Sequence, residues 1–413
     1  MKKRLKIQDV IATEIPGSYF FEDLAQIRSQ HLPEPVRYHS LTNHNRFPFI
    51  RSHVPCVSIG VVSKGCPVIW GDAVPVSFAG KSGRRSPRPA VEICRWVKTE
   101  FKEWLMGVAN FDWPDVELEF QRAFPKCEPF VTYGVSQVLV QMAAVQADQP
   151  LWVVIQQGLG GAGGPAPVFF HGSCGRDFYG AVDKMLFRKI PYLPQGQFED
   201  IERQIGKDGL RLIEWVQDFK VRSQAFGYVP TLTLDFHGAL DEVFSNDLAR
   251  IATYLASLGQ EASPHRLHIE SPISAPNFET FCQRQAELSK LVKKLCKTST
   301  TIALIADEWA NTLEEIKHLA DLDAVDGVHI KMPDVGSLYE IGRAVQQLKH
   351  RGKFSLLGGS CTETFTSSKI SVHLAMATGP DATLVKPGMG FDEGFSLMAG
   401  ESSKSFAEFS AKI

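Results

Sequence analysis

The sequence predicts an α/β protein: a C-terminal (β/α) barrel of the TIM type behind an N-terminal α+β capping domain. Three observations carry this. In the later part of the chain, short apolar runs alternate with amphipathic stretches, giving seven to eight strand–helix units, enough to close a barrel. The earlier part has strands and helices without that alternation. Four of the later runs also end on residues fit for metal or proton chemistry: TLTLDF at Asp235, RLHIES at Glu270, TIALIADEW at Asp307 and VDGVHIKMPD at Lys331.

Taken in order, residues 4–14 and 51–63 read as strands, the second through the alternating apolar positions of VPCVSIGVVS. Residues 90–109 and roughly 131–147 have helical spacing. The glycines and prolines of GLGGAGGPAP, 158–167, mark a boundary that divides 1–163 from 164–413. Gly158, Gly160 and Gly163 formally match GxGxxG, but Pro165 and Pro167 follow where a dinucleotide fold needs a helix. Beyond the boundary come the strand APVFFH, a helix around 199–220, TLTLDF and the helix NDLARIATYLASL. RLHIES then precedes a helix near 277–296, and TIALIAD precedes NTLEEIKHLADL. VHIK with 337–350, FSLLGG with 364–377, and ATLVKPG complete the series.

Composition fits a soluble enzyme. The 413 residues are 44% hydrophobic and 22% charged, with a formal net charge of −2. No apolar run is long enough to cross a bilayer, so no membrane association is expected. The basic start MKKRLKIQDVIATEI lacks the apolar core of a signal peptide. KSGRRSPRP, 81–89, is too short for a nucleic-acid surface and is expected to be a solvated charged loop. The eight cysteines form no CxxC pairs and read as reduced thiols of a cytoplasmic protein.

Asp235 and Glu270 lie 35 residues apart, Glu270 and Asp307 37, and Asp307 and Lys331 24, each about one strand, one helix and two loops. In a (β/α)₈ barrel all strand C-termini converge on one mouth, where the chemistry sits. Three carboxylates there repel one another unless a cation neutralises them. With no thiol or imidazole at these three positions, the donor set points to Mg²⁺ or Mn²⁺ rather than zinc. Residues two apart on a strand share a face. His329 therefore stands one step behind Lys331, His268 one step behind Glu270, and His237 beside Asp235 if that strand continues. A base beside a carboxylate-binding cation removes the proton next to that carboxylate. The intermediate is then reprotonated or expels a group from the β-carbon, and the ligands alone leave both outcomes open.

The chain resembles methylaspartate ammonia-lyase, a branch of the enolase superfamily, over nearly its whole length. The resemblance is carried by GSYFFEDLAQI, VDKMLFRKIPYLP, LHIESP, ADEWANT, IKMPDVG, GGSCTET and LVKPGMGFDEG. It implies a capping domain on a barrel, Mg²⁺, a homodimer, and elimination of ammonia from 3-methylaspartate or a related amino dicarboxylate. By the same resemblance Asp235, Glu270 and Asp307 are metal ligands and Lys331 is the base. Ser360 and Cys361 fall in a loop that holds a substrate carboxylate, and Leu384 lines the side-chain pocket.

Departures from the family pattern fall on the substrate contacts. The family's second catalytic residue, a histidine, corresponds to Gln195 in YLPQGQ. Its substrate-binding glutamines correspond to His329, to a position near His171, and to one on or near Pro75. The metal and base apparatus is thus kept while the amine and carboxylate contacts are rewritten. Epimerisation or dehydration of another carboxylate therefore stays open as an alternative, as does a silent binding role. Retention of Asp235, Glu270, Asp307 and Lys331 together argues against silence.

Overall fold

The computed structural model describes residues 5–22, 51–76, 82–84, 87–175, 177–198, 200–296, 302–360, 362–386 and 390–411, with the side chains of 18–22 and 51–54 excepted. Strands β1 (Ile7–Glu22), β2 (Arg51–Ser63) and β3 (Ile69–Ala73) form an antiparallel sheet in the order β1-β2-β3. β1 runs further than the expected strand at 4–14, and β3 had no counterpart in the sequence reading. The following helical stretch consists of Ala90–Trp96, a π-helical turn Val97–Phe101, and Lys102–Gly107. It packs Ile93, Trp96 and Phe101 with Val57, Ile59 and Val61 of the sheet in the core of this domain.

Helix Pro129–Ala147 is buried nearly all round because it lies between the sheet and the barrel. On one side Gly134 meets β3 so closely that a Cβ there would lie 2.6 Å from the Ala73 nitrogen. On the other side the helix packs against the short helix Met332–Val335, which begins immediately after Lys331. Glu117, fully buried, ties the layers together. It accepts from Trp113 Nε1 at 2.6 Å, Ser136 Oγ at 2.6 Å and Tyr339 N at 3.2 Å, and also from Ser337 Oγ.

Eight parallel strands close the barrel in the order β10-β11-β4-β5-β6-β7-β8-β9. They are β4 (Phe170–His171), β5 (Tyr192–Gln197), β6 (Thr231–Asp235), β7 (Leu267–Glu270), β8 (Ile302–Ala306), β9 (Gly327–Lys331), β10 (Phe354–Gly358) and β11 (Ala382–Leu384). The helix expected at 199–220 is instead a π-helical turn, Ile201–Ile205, followed by Leu210–Ala225. Gly206 and Gly209, with φ of 77° and 80°, make the break, since this left-handed region suits glycine. Inside the barrel, Tyr192, His268 and Phe354 form an aromatic layer at the N-terminal end. Leu356, Ala382 and Leu384 pack above it. His268 is thus a packing residue below the mouth, where burial and then Arg266 push its imidazole down to about 3. Among the described residues no single helix is long and apolar enough to cross a membrane.

Candidate active site

Strand register assembles the mouth. Asp235 of β6 pairs with Glu270 of β7, and Glu270 pairs with Ile305 of β8, two residues before Asp307. Lys331 ends β9 opposite Gly358 of β10. The three carboxylates and the lysine therefore reach one rim, each at most 7% exposed.

Glu270 is the hub. His329 Nδ1 lies 2.8 Å from its Oε1, and Gln195 Nε2 donates to its Oε2 at 2.8 Å. Gln195 reaches it because β5 shifts register between Pro194 and Gly196, and such a bulge re-aims a side chain. The residue sits at φ 48°, with its backbone N–H donating to Thr233 Oγ1 at 2.8 Å. Lys331 Nζ donates to Asp307 Oδ2 at 2.6 Å. Candidate ligand atoms of Glu270, Asp307 and His329 lie within 4.8 Å of one another. Asp235 stands outside that group, its Oδ2 3.2 Å from His237 Nε2. β6 ends at Asp235, so His237 returns to its neighbour through a turn at φ 44° rather than along a strand.

The charges are unevenly settled. Burial, then the neighbouring Glu270, Glu308 and Asp307, push the Asp235 carboxyl well above the usual carboxylate range. For Asp307, burial also opposes charge, but Lys331 and Arg84 outweigh it and hold the carboxyl below that range. Burial and Arg84 push the Lys331 amine down, yet Asp307, Asp334 and Glu308 prevail and raise it. Crowded, buried carboxylate oxygens without a thiolate suit a hard divalent cation. The residues present therefore fit the ion that the sequence implies.

The mouth cavity is lined by Asp235, Glu270, Asp307, His329, Lys331 and Gln195, with Ser360 and Leu384 on its wall. Ser360 Oγ donates to the carbonyl of Pro75 at 3.2 Å, and Thr362 Oγ1 donates to the same oxygen. Pro75 thus holds the capping domain against the loop after β10, and Val76 beside it lines the cavity. Cys361 lies outside the described residues. His171 is not on the cavity wall; Ser173, two residues further on, is. His171 Nε2 instead lies 2.9 Å from Thr233 Oγ1, and burial, with His329 and His268 nearby, keeps its imidazole well below the ordinary value.

One expectation is overturned at a single residue, while Lys81, Arg85 and Ser86 of the same stretch lie outside the described residues. Arg84, in the stretch read as a solvated charged loop, is buried in the mouth with 8% exposure. Its Nε donates to Asp334 Oδ2 at 2.7 Å, and its terminal nitrogens lie 3.5 Å from Asp307 Oδ1 and 3.9 Å from Glu308 Oε1. Local sequence gave no warning, because its partners are more than 200 residues away. Ser173 and Gln197 were also missed, although Ser173 follows His171 by one strand repeat.

Comparison with known proteins agrees along the whole chain. Residues 5–178 match the family model of the methylaspartate ammonia-lyase N-terminus, and 164–410 match that of the C-terminus. Methylaspartate ammonia-lyase 1 of Carboxydothermus hydrogenoformans is 33% identical, covering 98% of this chain and 97% of that protein. The crystal structure of Citrobacter amalonaticus methylaspartate ammonia lyase containing (2S,3S)-3-methylaspartic acid is 29% identical, with TM-score 0.90 over 98% of this chain and 100% of that one. The Mg complex of β-methylaspartase from Clostridium tetanomorphum is 26% identical, with TM-score 0.86 over 99% and 100%. A dipeptide epimerase from Enterococcus faecalis, 14% identical with TM-score 0.62 over 95% of this chain and 91% of that one, shares the fold alone. Two family models that together span the chain, with relatives alike from end to end, show that it belongs to the methylaspartate ammonia-lyase family of carbon–nitrogen lyases.

Proposed function

We propose that the protein is a Mg²⁺-dependent lyase that takes the proton beside a carboxylate of 3-methylaspartate, or a related amino dicarboxylate, and eliminates ammonia. The reverse addition of ammonia or an amine to the unsaturated acid belongs to the same chemistry. The observation that carries this reading is the gathering of Asp235, Glu270, Asp307 and Lys331 around one buried cavity. In it Asp235, Glu270 and Asp307 hold the divalent cation. When bound, that cation supplies positive charge to the substrate carboxylate, making the adjacent C–H more acidic.

Lys331 is the base. Its amine is held protonated chiefly by Asp307, so neutralising that carboxylate is what frees Nζ to accept a proton. Ser360 and the backbone around Cys361 hold a substrate carboxylate, Leu384 packs the substrate's apolar side, and His329 orients the amine end. His171 acts from behind, through Thr233, on the backbone of Gln195. An amide neither takes nor gives a proton near neutral pH. Gln195 therefore orients Glu270, and proton transfer is confined to the lysine's face. This disfavours epimerisation, which needs a base on each face, and leaves elimination intact.

We also place the domain boundary at 163/164 and read the enzyme as a cytoplasmic homodimer. Support comes from the family and from cysteines that the sequence scatters without CxxC pairs. The test is direct: purified protein with Mg²⁺ and 3-methylaspartate, followed by ultraviolet absorbance of the unsaturated acid. Product formation that excess chelator abolishes is expected. Turnover that survives chelation, or none on any amino dicarboxylate, overturns the reading.

A further inference from the structure

The rim of the mouth carries more negative charge than the three proposed ligands. Glu308 and Asp334 join Asp307 there, and ligand atoms of His237, Asp307 and Glu308 come within 4.8 Å of one another. This second group shares Asp307 with the inner one. Two of its three members, Asp307 and Glu308, are paired with the Arg84 guanidinium, which also meets Asp334 outside the group.

Arg84 is aimed there by a docked turn. The Ser82 carbonyl accepts from Asn311 Nδ2 at 2.6 Å. Gly83, at φ 81°, packs so tightly that a Cβ would lie 3.2 Å from both Asn311 Nδ2 and the Trp309 ring. Trp309 and Asn311 follow Asp307 and Glu308 within the same ADEWAN stretch. The capping domain thus grips the same segment whose acids Arg84 neutralises. A guanidinium suits the task because it stays charged at all working pH and presents several donors in a fixed fork.

We propose that Arg84 is a built-in counter-cation: it neutralises the two acids of the outer group, so that the mouth takes one divalent ion instead of two. It is a positioning residue, acting on the site through Asp307, Glu308 and Asp334. The inference rests on Asp307 being a ligand of the inner ion.

The experiment counts bound Mn²⁺ on the full-length protein by equilibrium dialysis with electron paramagnetic resonance. Wild type, Arg84→Met, Arg84→Lys and Asp307→Asn are compared, with melting temperatures recorded with and without Mn²⁺. Wild type and Arg84→Lys should bind one equivalent per chain. Arg84→Met should bind two, the second more weakly. Its melting temperature should fall without metal and recover with excess Mn²⁺, because a ligand that binds only the folded state stabilises it. Wild type binding two equivalents overturns the proposal, even if Arg84→Met does not fold. Arg84→Met binding one equivalent with a melting temperature that Mn²⁺ moves no more than in wild type also overturns it. If Asp307→Asn keeps wild-type affinity, it is the ligand assignment itself that fails.

Discussion

Lys331 and Gln195 bring opposite capacities to the mouth. Lys331 carries an exchangeable proton on a buried amine, whereas Gln195 carries an amide whose Nε2 is committed to Glu270. Lys331→Ala should therefore keep the fold while losing solvent deuterium exchange at the acidic carbon, by roughly 10²- to 10⁴-fold as is usual for a general base. Exchange at the wild-type rate would assign the proton to another group. At Gln195 the expectation concerns stereochemistry. Wild type should process one C3 epimer of 3-methylaspartate and leave the other nearly untouched. Gln195→His, which puts a titratable group at this position, should recover some activity on the second. Comparable rates on both epimers in the wild type would mean that a second base acts there.

Two contacts between elements bear on the stability of the fold. Gly134 lets the central helix of the capping domain touch β3, and Gly71 of β3 answers it: a Cβ at Gly71 would lie 2.2 Å from the Gly134 carbonyl. Gly134→Ala must push the helix off the sheet, and overpacking of this kind costs about 1–3 kcal/mol. Urea titration should show the midpoint falling; an unchanged midpoint would mean that the sheet shifts freely. The second contact joins helices Phe365–Thr378 and Phe391–Ser410. Glu401 lies 3.1 Å from both His373 Nε2 and Lys369 Nζ. Its hydrogen bond from His373, then Lys369, pull its carboxyl down to about 2 from the usual 4.5. A depressed folded value means the pair stabilises above pH 4.5 and loses that contribution as pH falls towards about 2. Glu401→Gln should therefore lower the melting temperature at pH 7 and much less at pH 3. An equal loss at both would show that the clamp is packing, not charge.

For the molecule as a whole, a bound divalent ion should appear as stability. Three carboxylates crowd one rim, and Asp235 is pushed up by Glu270, Glu308 and Asp307 as well as by burial. At Mg²⁺ a hundredfold above its dissociation constant, mass action adds about 2.7 kcal/mol. Over a chain of this length that is a rise of roughly 3 °C in melting temperature. Calorimetry with and without chelator measures it, and no shift at saturating Mg²⁺ would remove the ion from the resting enzyme.

The barrel and its mouth were legible in the sequence because both are local in origin. Apolar runs of strand length ending at Asp235, Glu270, Asp307 and Lys331, each a strand–helix unit apart, fix which residues share the rim whatever the detailed packing. Strand β3 was not legible: IWGDA is five residues with an internal glycine, and its neighbours β2 and the central cap helix make it a strand. Nor did periodicity show that His171 would stop one layer below the cavity while Ser173 reached it. That depends on where β4 ends within the closed barrel. Arg84 is the clearest case. Its neighbours in sequence are charged and polar, which reads as solvent. Its partners, Asp307 and Asp334, lie 223 and 250 residues away. Periodicity and spacing could place the acids on one rim, because each is fixed by its own strand. Which cation meets them from above was decided only when the capping domain docked.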